Sequence, residues 1–186
     1  SVLLWTPVFL VFILTHGFAI FFAIATHLWD APAVVGRTLE DMERTGTELG
    51  LAGLLMLVIR AYSVGAGTYT GIEAVSNGLP VLREPKVRTG KRVMLYMAVS
   101  LSVTVGGLFM AYLLYDVCPA EGKTLNAVLF GSMTAGWPSW LGSSFVSVSM
   151  MSATLLLFIA AQAGFLDGPR VLANMALDRW MPQKFA

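Results

Sequence analysis

Cysteine is nearly absent from this chain, and that settles two questions at once. A lone Cys118 excludes an internal disulfide and any cysteine-built metal site. Histidine is almost as scarce. His16 and His27 stand apart with no partner at metal-ligand spacing, so both read as interfacial or helix-packing residues. Charge is thin, with 12% Asp, Glu, Lys and Arg and a net charge of +1. That leaves no electrostatic basis for nucleic acid or a strongly acidic partner. There is no nucleotide-binding glycine loop, histidine pair or nucleophile elbow, so neither an enzyme nor a bound cofactor is expected. No ten-residue alternation of polar and apolar side chains is present either, which excludes a membrane barrel. Against these absences, apolar residues make up 56% of the chain and the mean hydropathy is +0.73, outside the usual range of soluble domains.

About 20 mostly apolar residues are needed to span a bilayer as a helix. Four stretches qualify: about 1–28, 49–82, 93–115 and 144–166, the second interrupted near 65–71. Ser1 opens directly into apolar sequence without the basic start or small-residue cleavage site of a signal peptide, and the last residues read as mid-chain. Residues 1–186 are therefore expected to be one transmembrane-domain fragment of a longer, all-α integral membrane protein, a helix bundle whose partners include the lipid bilayer and that protein's remaining helices.

Loop charges orient the bundle. Arg83, Lys86, Arg88, Lys91 and Arg92 lie between the second and third stretches, opposed by Glu84 alone, and Arg170, Arg179 and Lys184 follow the fourth. The other loops hold only Arg37 and Arg44, or Lys123. The positive-inside rule then predicts that the 83–92 loop and the 167–186 tail are cytoplasmic, in an integral protein expected in the cytoplasmic (inner) membrane. The first outer loop carries Asp30, Glu40, Asp41, Glu43 and Glu48, and its residues 36–48 fit a short polar helix with a solvated face. In the other outer loop, residues 125–130 form an apolar patch that fits a re-entrant or surface-lying helix, with Trp137 and Trp140 at headgroup level after it.

The second stretch carries the chemistry. Ser63, Gly65, Gly67, Thr68, Tyr69, Thr70 and Gly71 crowd into nine residues. Each glycine weakens a helix by about 1 kcal/mol against alanine. Unwinding there exposes the carbonyl end of one half-helix and the N–H end of the next, which attract cations and anions respectively. Thr68, Tyr69, Thr70 and Gly71 are the candidate solute-binding residues. Glu73 follows the break directly. An unpaired carboxylate at a helix centre costs about 2.5–3.5 kcal/mol on insertion scales, so Glu73 is expected to be protonated or paired, the basis of proton coupling. Arg60 is the other charge inside a span. It is a candidate outer gate, with structural pairing to an acid as the default reading. Ser147, Ser149, Ser152 and Thr154 in the fourth stretch, and Gly106 with Gly107 in the third, are read as helix-packing positions.

Gly71-Ile-Glu73 after a hydroxyl-rich break resembles the broken sixth helix of the amino acid–polyamine–organocation (APC) superfamily. Residues 168–185, from Gly168-Pro169-Arg170 to Phe185, resemble that superfamily's cytoplasmic segment after helix eight. The spacing of the two motifs agrees with the family arrangement. The resemblance implies helices five to eight of an inverted-repeat, five-plus-five LeuT-like transporter fold. Amino-acid permeases usually carry an acidic pair and Asn-Pro after the broken helix. Here those positions read Leu79-Pro80-Val81 and Glu84-Pro85, which look more like the superfamily's potassium-importer branch. In that branch a hydroxyl and an acid on this helix serve cation binding and proton coupling, and they map to Thr70 and Glu73. The expected function is proton-coupled secondary active uptake of a small solute, K+ ahead of an amino acid. A non-transporting membrane sensor or scaffold is the more distant alternative. Oligomeric state is not legible in these residues.

Overall fold

The structure is a computed structural model that describes residues 2–65 and 82–185. Every regular element among the described residues is helical: α1 (Val2–His27), a 3-10 turn (Leu28–Asp30), α2 (Ala31–Gly65), α3 (Lys86–Leu114), α4 (Leu125–Met133), α5 (Ser139–Leu177) and a last 3-10 turn (Gln183–Phe185). Three stretches are long and apolar enough to cross a membrane: Trp5–Gly65, Lys86–Leu114 and Ser139–Gln162. The first has 61 residues. At about 1.5 Å per residue that is roughly three times the ~30 Å hydrocarbon thickness. It therefore holds both the first expected span and the opening half of the second.

Two local features divide that long stretch. The 3-10 turn at Leu28–Asp30 ends α1, and Gly50 lies inside α2 with φ 65° and ψ 174°. Those angles belong to a region essentially reserved for glycine. The polar residues expected to form a helix do so on the N-terminal side of Gly50, starting at Ala31 rather than Gly36. On the other side runs an apolar rod whose side chains are largely exposed, including Leu51 at 77% and Val64 at 78%. In water such a surface would be untenable; lipid accepts it without penalty.

The chain divides into two compact units, residues 1–19 with 118–186, and residues 20–117. The first is held by aromatic packing. Thr124 caps α4 by accepting the Ala127 N–H at 3.2 Å, and the helix buries Leu129, Phe130 and Met133 on one side. Phe130 is fully buried and meets Phe145 of α5 edge-on, with ring centroids 5.7 Å apart. Phe18 meets both Phe145 and Trp137 edge-on, at 5.6 and 6.1 Å. Trp137 thus packs inward, whereas Trp140 is 71% exposed. Edge-to-face pairs of this kind add about 0.5–1.5 kcal/mol each beyond area burial.

In the second unit α1 and α3 touch at two levels. A Cβ placed on Gly107 would lie 2.6 Å from the Ile20 Cγ2. Further along, His27 packs on Tyr115 with centroids 4.3 Å apart, and the Thr26 and Tyr115 hydroxyls are 3.4 Å apart. Residue numbers rise together along both helices, so α1 and α3 run in the same direction. Close approach at Gly107 agrees with the packing role expected of that residue. Gly106, in contrast, faces open space.

Helix ends differ from the hydropathy boundaries. Helix α3 begins at Lys86, well before the apolar run at 93, and α5 continues past 166 to Leu177. Apolarity marks only the part in hydrocarbon, while backbone hydrogen bonding continues wherever the sequence tolerates a helix.

Candidate functional site

Of the candidate residues, Thr68, Tyr69, Thr70, Gly71 and Glu73 lie outside the described residues. The structure places their approach and Arg60. Arg60 sits on the apolar rod of α2, exposed, between exposed Val58, Ile59 and Tyr62. It makes no ion pair among the described residues, where the pairs are Arg44–Asp41 at 3.0 Å and Lys86–Glu84 at 3.7 Å. Ten residues separate Arg60 from the Gly50 turn, about 15 Å along a helix. Within hydrocarbon a guanidinium needs an acid, carbonyls or water around it.

Several hydroxyls of α5 are bonded within their own helix. Ser149 donates to the Phe145 carbonyl at 2.7 Å, Ser152 to the Ser149 carbonyl at 2.8 Å, and Thr154 to the Met150 carbonyl at 2.9 Å. Ser149 and Ser152 are also buried. Burial of Ser149 and Ser152 agrees with the packing role expected of small hydroxyl residues, whereas Ser147 and Thr154 are exposed.

His16 is buried as well. Its Nδ1 lies 3.0 Å from the Phe12 carbonyl oxygen, consistent with donation from Nδ1, and its ring packs on Phe12 and Phe130. The Nε2 atom is buried with no hydrogen-bond partner among the described residues. An apolar aromatic surrounding is not a metal site, and the imidazole serves as core.

A hollow of about 520 Å³ opens where α4 meets α5, lined by Thr134, Trp137, Ser139, Gly142, Ser143 and Ser147 among others. Thr134 donates to the Phe130 carbonyl and Ser143 to the Ser139 carbonyl, each at 2.7 Å. Their outward lone pairs therefore remain as acceptors. The recurrence of small residues at 139, 142, 143 and 147, three and four apart, was the available sequence signal for this face.

No family model matches the chain, and no solved structure matches it. The chain is similar to the potassium transporter KimA of Bacillus subtilis (strain 168), with 30% identity over 148 residues. That alignment takes in 78% of this chain and 23% of KimA, so the chain spans less than a quarter of the relative's length. A potassium transporter is thus among the proteins it resembles. With three helical stretches able to cross a bilayer, the chain belongs to an integral membrane protein.

Proposed function

We propose that this chain is part of a secondary active permease that imports a monovalent cation, K+ first, by alternating access around the interruption at 65–71. The observation that carries this reading is the similarity to a potassium transporter over 78% of the chain. The composition of the second stretch supports it independently, because its residues 65–73 hold one acid, three glycines and two threonines. Thr68, Tyr69, Thr70, Gly71 and nearby carbonyls contact the ion, and Glu73 carries the coupling proton. The protein is a carrier without catalytic chemistry, and its fold is the APC-type inverted repeat.

The parallel run of α1 and α3 supports alternating crossings, since a return passage must lie between two helices that cross the same way. In that topology residues 83–92 and the C-terminal tail face the cytoplasm of an inner membrane. Arg60 closes the outer path by pairing with an acid.

The test is rubidium uptake by the intact protein in proteoliposomes under an imposed proton gradient, with labelled amino acids as competing substrates. Rubidium uptake that Glu73→Gln abolishes is the expected result. Uptake unchanged in that variant removes the proton-carrier role. Amino-acid uptake in place of rubidium moves the protein to the permease branch, and flux of neither solute favours a sensor or scaffold.

A further inference from the structure

The basic cluster at the start of α3 is more than a topology signal. Five cations, Arg83, Lys86, Arg88, Lys91 and Arg92, face one acid. Glu84 is already engaged with Lys86, through its ammonium at 3.7 Å and its backbone N–H at 3.2 Å. Arg83, Arg88, Lys91 and Arg92 are exposed and make no ion pair among the described residues. Arg88, Lys91 and Arg92 are spaced three and four apart, on one face of the helix. The same spacing continues that face into Leu95 and Val99, exposed by 59% and 54%, with Tyr96 at its edge, 69% exposed. None of the apolar window of α3 is buried. One helix face thus presents three cations and then, one turn deeper, an open aliphatic strip.

We infer that this face is a docking surface for an anionic phospholipid. The phosphodiester headgroup is held by Arg88, Lys91 and Arg92, and its acyl chains lie along Leu95 and Val99. Two observations select a lipid over a free anion. The cations are spread over more than a turn and exposed, a poor cage for a small ion competing with water. The aliphatic strip lies directly beneath them, so a ligand that fills both parts must itself be amphipathic. Guanidinium groups suit the target, because they bind phosphate oxygens in bidentate pairs and hydrate weakly. The inference requires that α3 cross the bilayer, but not that the solute be K+.

Each juxtamembrane cation strengthens attraction to an anionic surface by roughly fivefold, so removing three predicts a loss on the order of 100-fold. The experiment equilibrates the intact protein in neutral detergent micelles doped with phosphatidylglycerol or with phosphatidylcholine, and counts retained lipids by native mass spectrometry. Selective retention of phosphatidylglycerol is expected. It should collapse in the Arg88→Gln, Lys91→Gln, Arg92→Gln triple variant and persist in Arg88→Lys, Arg92→Lys. If the triple variant does not fold, the wild-type protein still decides, because its selectivity must fall steeply as salt rises from about 0.1 to 1 M. Equal retention of both lipids, or selectivity indifferent to salt and to the triple substitution, overturns the inference. Displacement of the lipid by millimolar inorganic phosphate also overturns it, by revealing a free-anion site.

Discussion

Replacing Gly107 by alanine puts a methyl group where the structure has no room. The added Cβ would lie 2.6 Å from the Ile20 Cγ2, 3.0 Å from its Cδ1 and 3.2 Å from its Cγ1. The nearest of these branches from the β-carbon, close to the backbone, so it cannot swing aside as a chain end does. Overpacking of this kind costs about 1–3 kcal/mol, against which alanine's helix preference over glycine returns about 1 kcal/mol. Gly106 provides the control. It has nothing within 4 Å of an added Cβ, so Gly106→Ala gains the preference without the clash. The difference between the two variants cancels the preference and isolates the contact at about 1–3 kcal/mol. The measurement is equilibrium unfolding of the intact protein in mixed detergent–SDS micelles. Gly106→Ala should unfold at more SDS than wild type, and Gly107→Ala at less than Gly106→Ala. Adding Ile20→Ala to Gly107→Ala should relieve the clash. Equal midpoints for the two glycine variants would refute the α1–α3 contact.

Four further outcomes are expected. Gly50→Ala forces a side chain into a glycine-only backbone region and should cost about 1–3 kcal/mol in the same unfolding assay. Thr124→Ala removes the hydroxyl that accepts the Ala127 N–H and should destabilise by about 0.5–2 kcal/mol, visible as faster amide exchange in the first turn of α4. His16→Phe removes a buried ring nitrogen that lacks a partner among the described residues; stability should be unchanged or raised, and a loss above about 2 kcal/mol would disprove the packing role. Arg60→Gln should leave folding nearly intact, by size-exclusion profile, while reducing rubidium uptake. Normal uptake would return Arg60 to a structural role.

Much of the helical layout was legible because it depends on composition over long windows. The polar helix before Gly50 and the short helix at 125–133 were both readable from patterning, since each is a run of one character between turn-rich flanks. Helix ends were less legible, because hydropathy reports the hydrocarbon layer and not the hydrogen-bond ladder; that is why α3 starts at Lys86. The Gly50 turn went unread although its signal was present, in the switch from Glu48 to the apolar run beginning at Leu51. Gly106 and Gly107 are indistinguishable in sequence, because only the position of Ile20 separates them. Thr68 to Glu73 rest on sequence alone, since they fall outside the described residues.

Four of the seven α5 hydroxyls, those of Ser143, Ser149, Ser152 and Thr154, lend their protons to carbonyls one turn back on the same helix. Such a helix conceals its polarity: it partitions into oil almost as an aliphatic rod would, although its composition advertises a wet surface. Counting hydroxyl side chains therefore overstates how many protons still need water or a partner, while each oxygen keeps its lone pairs. Backbone carbonyls for a bare cation must come from a place where the ladder is interrupted, because those of an intact helix already accept one or two protons.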